Sequence, residues 1–179
     1  MPKFLTALLC FCVFCFSKTP SCPFCTQDIL DNQVFYEDSL VYGLYTHRPV
    51  VPAHFLVTPK RHVEKLEKLT QEELLQIHAL LNKIHNLSQK VFGTEPYFIH
   101  QKNGKEVGQS APHLHFHYIG KKPGDHSTLK FIFCMIKARF GASLSQKKLQ
   151  EITSYLKSSL EALDCTQQES STTFLKLNL

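Results

Sequence analysis

The chain has 179 residues, enough for one well-cored domain and short for two. Apolar residues make up 43% and charged residues 20%, a balance that argues against a disordered chain and against a bundle of membrane spans. The net charge of +5 suits a small anionic ligand, but no Lys/Arg run is dense enough for a polynucleotide-binding patch.

In chain order, the first feature is an apolar run, Phe4–Phe16, behind Lys3. It is too short to cross a bilayer comfortably and has the length of a signal-peptide core. A short anchor and an upstream translation start are the rival readings, so residues 1–17 are set aside as a signal-like or anchor-like segment. The protein is expected in the cytoplasm, with export or membrane attachment through residues 4–16 as the other outcome. Cys10, Cys12, Cys15, Cys22 and Cys25 crowd the same end, whereas Cys134 and Cys165 stand alone. Seven cysteines at irregular spacing do not read as a disulfide framework. Cys22-Pro23-Phe24-Cys25 has the spacing by which one tight turn offers two thiolates to a tetrahedral ion. A redox pair is less suited, because no thioredoxin-like βαβ pattern surrounds it, and a mere continuation of the cysteine-rich segment is the bland alternative.

Val34–Thr46 reads as two strands about a turn at Glu37-Asp38-Ser39. A strand centred on Ala53–Thr58 follows, its ends marked by Pro52 and Pro59. Thr70 and Glu73 form a capping box that opens a long helix with an apolar face at Leu74, Ile77, Leu81, Ile84, Leu87 and Val91, stopping at Gly93. A strand is predicted at Tyr97–Gln101, then a polar loop with Gly104 and Gly108, then a strand carrying His113, His115 and His117. Leu129–Phe140 reads as helical, and Leu144–Leu163 as an amphipathic helix capped by Ser143 with Gln146 three residues on. The tail over 165–179, rich in Ser, Thr and Gln, is expected to be disordered. Strands, helix, strands and helices in that order predict an α+β domain with an antiparallel sheet.

Alternate residues of a strand share a face, so the three histidines line up with imidazoles about 7 Å apart while Leu114 and Phe116 face the other way. Three imidazolium ions in a row would repel, so neutral rings facing a metal or an anion make better sense of the pattern. A polar strand face without function and a pure three-histidine metal site are the alternatives. The preceding loop favours an anion, since glycine lets backbone amides approach a phosphate closely.

Asn103-Gly104 through Gly108-Gln109-Ser110 to His113-Leu114-His115-Phe116-His117 resembles the signature of the histidine-triad (HIT) family. Pro49–His62 resembles the family's second block, and Cys22–Cys25 followed by Val34–Tyr42 resembles its zinc-bearing opening; the resemblance covers 21–124. Residues 125–164 would then be a helical extension. The resemblance implies a HIT-like α+β fold with about five antiparallel strands and a long helix, in a homodimer. It implies a nucleotide hydrolase or nucleotidyl transferase acting on dinucleoside polyphosphates or nucleoside phosphoramidates through a nucleotidyl-histidine, with no nucleic-acid polymer as partner. Carried over by position, His115 is the nucleophile, His117 holds and orients the phosphate, and Gln109 meets the bridging or leaving-group oxygen. His54 lines the pocket, Asn103, Gly108 and Ser110 match phosphate or loop contacts, and Cys22, Cys25, His62 and His113 close a structural Zn2+ shell. Thr46 stands where many members carry an aspartate for the ribose, and it cannot act as a charged bidentate acceptor. Pro49–Pro52 resembles the fragile-histidine-triad branch, which generally lacks the zinc ligands, so the chain mixes two branches. A nucleotide-binding scaffold with little turnover, and a hydrolase using zinc-bound water, remain as alternatives. His47, His100 and His126 have no spacing that commits them to a role.

Overall fold

Short runs of β-branched and aromatic residues build the sheet. The computed structural model describes residues 22–177, with side chains described through Thr166; the Phe4–Phe16 run lies outside the described residues. The strands are β1 (Val34–Glu37), β2 (Val41–Tyr45), β3 (His54–Pro59), β4 (Tyr97–Gln101) and β5 (Phe116–Gly120). They form one antiparallel sheet in the order β1-β2-β3-β5-β4. The expected α+β class and five-stranded sheet are both present.

Pleating divides the sheet into two faces. Phe55 and Val57 of β3 and Tyr118 of β5 pack beneath helix α2 (Gln71–Phe92), which contributes Ile77, Leu80, Ile84 and Leu87. Truncating any of these to Ala costs about 2–5 kcal/mol by the lost contacts and the cavity left behind. On the opposite face Leu56 packs with Leu44, Phe24 and Ala111 in a smaller cluster, and His54 and His117 share that side. One face carries the main core; the other carries His54 and His117.

The capping box forms as expected: Thr70 Oγ1 accepts from the Glu73 amide at 3.1 Å, and Glu73 Oε2 accepts from the Thr70 amide at 2.8 Å. The helix ends on Gly93 in the left-handed region at φ 64°. Its buried face differs from the expected one, because Leu74 is half exposed and Glu73 lies inward. The Glu73 carboxylate can lie there because Arg61 donates to both of its oxygens, at 2.9 and 2.8 Å. Gly120 sits where α2 and β5 converge, since a Cβ there would meet Ser88 Oγ and Thr94 Oγ1 at 2.8 Å.

Four helices complete the element order: α1 (Gln27–Gln33), α2, α3 (Thr128–Phe140) and α4 (Gln146–Leu177). In α4, Leu149, Leu156 and Leu160 are buried, and the helix packs against α1, α2, β1 and β2. Ser145, not Ser143, supplies its cap, with Oγ accepting from the Lys148 amide at 3.3 Å; Ser143 Oγ instead accepts from Arg48 Nε at 3.1 Å. The backbone stays helical through Leu177, where a disordered tail was expected. No Gly or Pro follows Gly141, so nothing breaks a helix already nucleated by packing, and each Ser, Thr or Gln costs at most about 0.7 kcal/mol against Ala.

Candidate active site

β5 starts only at Phe116, so of the three histidines expected on a strand His117 alone lies in the ladder. His113 and His115 occupy the extended segment before it. Its backbone bonds elsewhere: the Leu114 amide donates to the Val63 carbonyl at 2.6 Å, and the Leu114 carbonyl accepts from Thr58 Oγ1 at 2.7 Å. These bonds still draw the histidines together, with the His115 and His117 ring centroids 5.0 Å apart.

Hydrogen bonds to the backbone fix which nitrogen of each ring is free. His115 Nδ1 lies 2.8 Å from the His113 carbonyl, which can only accept, so Nδ1 carries the proton and Nε2 keeps its lone pair. The Val50 amide donates to His54 Nδ1 at 3.1 Å, which puts the proton of His54 on Nε2. That Nε2–H donates to His117 Nδ1 at 2.9 Å, leaving His117 to carry its own proton on Nε2. A ring with a bare Nε2 therefore neighbours a ring with an Nε2–H donor, centroid to centroid 5.0 Å. These assignments follow from the partners each ring meets.

All of these rings are held neutral. Burial, then the charge on His100, pulls His54 down to about 3. Burial, then His115 and His54, pulls His117 down to about 2. His115 is lowered as well, first by burial, with Lys102 adding to the effect against the opposing bond to the His113 carbonyl. Neutral imidazole is the nucleophilic form, so rings in this state could attack an electrophile at neutral pH.

Two residues that sequence reasoning left aside belong here. His100 of β4 lies directly opposite His117 in the ladder, and the rings stack at 4.3 Å and 5°. Lys102, two residues on, presents its charge to His100, His115 and His117. Only the β4–β5 register exposes this pairing.

The loop residues sit differently from expectation. Gly108 adopts φ 82°, which suits glycine, but its amide donates to the Lys105 carbonyl at 2.9 Å and the Gln109 amide to the Gly104 carbonyl at 3.1 Å. These amides close the loop rather than opening toward a phosphate. Gln109, expected at the leaving-group oxygen, braces the same loop, accepting from the Gly104 amide at 2.6 Å and donating to the Glu64 carbonyl at 3.0 Å. Asn103 Oδ1 accepts from the Leu66 amide at 3.1 Å and from Gln101 Nε2 at 2.7 Å, so it too is a loop tie. Ser110 is exposed, and Thr46 is buried with its hydroxyl 3.4 Å from the Arg48 amide.

Cys22, Cys25, His62 and His113 offer donor atoms that all lie within 4.8 Å of one another. Their closest separations are 3.3 Å (Cys22 Sγ to His113 Nδ1), 3.5 Å (Cys25 Sγ to His62 Nδ1) and 3.6 Å (Cys25 Sγ to His113 Nδ1). Zinc bonds of about 2.0–2.3 Å imply tetrahedral edges of about 3.3–3.8 Å, so the set fits such an ion. His113 Nε2 lies 2.9 Å from the Pro59 carbonyl, which turns the lone pair of Nδ1 toward the thiols. Burial, then the bond to Cys25, pushes the Cys22 thiol up to about 11; a bound divalent cation reverses this by stabilising the thiolate.

A cleft of about 560 Å³ lies elsewhere, between α1, β1 and α4. Asp31, Glu37, Glu161 and Asp164 line it, which disfavours an anionic nucleotide.

The HIT domain family model matches residues 28–124, just over half of the 179 residues. The chain belongs to the HIT family. It is 32% identical over 110 residues to a bis(5'-nucleosyl)-tetraphosphatase [asymmetrical] of Schizosaccharomyces pombe, a match covering 62% of this chain and 60% of that protein. A bis(5'-adenosyl)-triphosphatase of Dictyostelium discoideum is 31% identical over 97 residues, covering 54% of this chain and 65% of that one. The chain thus spans less than two thirds of the length of these relatives. A crystal structure of a Zn-bound histidine triad family protein from Mycobacterium smegmatis superposes with a TM-score of 0.61 at 25% identity, covering 82% of this chain and 97% of that one. In this HIT chain α3 and all of α4 fall beyond the matched residues, yet α4 is part of the core.

Proposed function

We propose that this HIT protein hydrolyses dinucleoside polyphosphates, or transfers their nucleotidyl group, through a nucleotidyl-histidine on His115. The observation that carries the reading is the tautomer set: His115 keeps a bare Nε2 while His117, its ring centroid 5.0 Å away, carries its proton on Nε2. In the first step His115 Nε2 attacks the α-phosphorus, a P–N bond forms, and the bond to the bridging oxygen breaks. The leaving group takes the electron pair. The His117 donor stabilises charge growing on the phosphoryl oxygen, an effect for which one lost donor typically costs about 10²–10³ in rate. Water then attacks the same phosphorus, the P–N bond breaks, and a proton leaves with the product side so that His115 returns neutral. A second acceptor in place of water gives transfer.

His117 is too weak a base in the free protein to enter as a cation and protonate a departing amine. A polyphosphate leaves as a stable anion without that help, which favours it over a nucleoside phosphoramidate. Relatives named as a bis(5'-nucleosyl)-tetraphosphatase and a bis(5'-adenosyl)-triphosphatase support the same class. Initial rates on diadenosine tetraphosphate and adenosine phosphoramidate test the reading, with the first turned over faster. A folded chain that binds both and cleaves neither would instead be a nucleotide-binding scaffold.

Zinc at Cys22, Cys25, His62 and His113 is part of the proposal. The donor spacing and the Pro59 bond to His113 support it. Four protein ligands leave no open position, so the ion would be structural, tying the N-terminal turn to the histidine segment, and zinc-bound water would not be the nucleophile. A homodimer is also proposed: β4 is an edge strand with Tyr97, Phe98 and Ile99 exposed, a surface that a second copy would cover. Light scattering on the eluting protein reads its mass. Thiols kept reduced for a metal suit the cytoplasm, and among the described residues no helix is long and apolar enough to cross a membrane.

A further inference from the structure

Helix α3 buries nothing of its own, and its residues stand in two groups. Phe131, Cys134 and Ala138 are partly covered and turn toward the protein, with Lys121 Nζ 5.4 Å from the Phe131 ring. Leu129, Ile132, Phe133, Ile136 and Phe140 are exposed, with Leu129 and Phe140 each at 81%. At 3.6 residues per turn these five fall within an arc of about 100°. Arg139 borders that stripe on one side, and Lys137 and Lys130 border it on the other. The helix carries no acidic residue. Both of its ends are fixed: Ser127 Oγ accepts from the Lys130 amide at 3.2 Å, and Arg48 Nη1 donates to the Arg139 carbonyl at 3.4 Å.

We propose that α3 is a membrane-surface helix that docks the protein on anionic lipid. A stripe of Leu, Ile and Phe edged by cations enters the boundary between headgroups and acyl chains while the long basic side chains reach the headgroup phosphates. Thirteen residues make a helix of about 20 Å, short of the roughly 30 Å hydrocarbon layer, so α3 lies on the bilayer and does not span it. The absence of any acidic side chain on α3 is what selects anionic lipid over a second copy, since a self-docked stripe would place cation against cation. The negatively charged cytoplasmic leaflet offers the matching surface. The inference stands whether or not the histidine site turns over nucleotides.

The chain contains no tryptophan, so Phe133→Trp makes the exposed stripe report on itself. The full chain carrying this change is mixed with phosphatidylcholine vesicles, with or without phosphatidylserine, and sedimented. The proposal expects the emission to move to the blue with phosphatidylserine present and to stay near its aqueous position without it. Adding Lys137→Gln and Arg139→Gln should weaken partition roughly 25-fold, at the usual contribution of one basic side chain near an anionic surface. Three results overturn it. The chain could fail to sediment with anionic vesicles. It could sediment with unmoved emission, which would assign lipid contact to another segment such as Phe4–Phe16. The emission could shift with protein concentration alone, which would give the stripe to a second copy. All three positions are solvent-exposed, so the variants lose no core packing.

Discussion

His113 and His115 are two residues apart on one extended segment, yet they present opposite nitrogens. His113 spends Nε2 on the Pro59 carbonyl and turns Nδ1 to the two thiols; His115 spends Nδ1 on the His113 carbonyl and leaves Nε2 free. One backbone acceptor each decides which ring offers Nδ1 to the proposed metal and which offers Nε2 as the proposed nucleophile. A second difference follows from the neighbours. Beside His113 stand two cysteines, one of which, Cys22, has its thiol pushed up by burial, whereas beside His115 stand His117, His54 and His100, all depressed by burial. The first cluster asks for a positive charge and the second excludes one. That contrast would let a single segment hold the proposed structural ion and attack phosphorus without confusing the two.

The largest test of the comparison removes the nucleophile. His115→Ala should lower kcat by more than about 10⁴-fold, as loss of a nucleophile does, while circular dichroism stays unchanged. Residual turnover within tenfold of the native protein would assign the attack elsewhere. Removing the ion comes next. Chelation, or Cys22→Ser, should cost about 4 kcal/mol or more of stability, because the turn at Cys22–Cys25 then loses its tie to His62 and His113. Urea denaturation with and without chelator measures it. Activity lost with unchanged denaturation would favour metal-bound water as nucleophile.

Acid offers a third test. His54 and His117 stay unprotonated in the folded protein down to about 3 and about 2, while in the unfolded chain each takes a proton near pH 6.5. The unfolded state therefore binds more protons below pH 6.5, and stability falls as pH drops from there. With both groups responding, the slope approaches about 2.7 kcal/mol per pH unit near pH 5. A urea midpoint that does not move between pH 7 and pH 5 (values on the scale of the ordinary histidine titration) would contradict the buried neutral row. The smallest effect belongs to His100. Its ring covers the face of His117, so His100→Ala should lower kcat by about tenfold, the upper worth of an aromatic pair, and His100→Phe should restore most of it by keeping the stack. Equal losses in both variants would point to the His100 nitrogens instead of its face.

Much of this was legible in the sequence because local rules carry it. The Thr70 and Glu73 capping box, the Gly93 stop and the strand boundaries at Tyr97–Gln101 follow from neighbours in the chain. The gathering of Cys22, Cys25, His62 and His113 was legible only through the family pattern, since those residues come from three separate segments. His100 stayed hidden because its partner is set by the β4–β5 register, which no hydrophobic alternation on an exposed edge strand specifies. Leu74 was misassigned because a satisfied carboxylate, Glu73, took the inward position that hydrophobicity alone would have given to a leucine. Gln109 and Gly108 look like phosphate contacts from their place in the motif, but here their amides bond within the loop and the Gln109 side chain donates to the Glu64 carbonyl.

The most direct measurement of the central claim is a long-range proton–nitrogen correlation spectrum of the histidine-labelled, zinc-loaded protein at neutral pH. His115 is expected to carry its proton on Nδ1 with an unprotonated Nε2, and His117 to carry its proton on Nε2. A His115 ring protonated on Nε2, or on both nitrogens, would leave no lone pair to meet phosphorus and would contradict it.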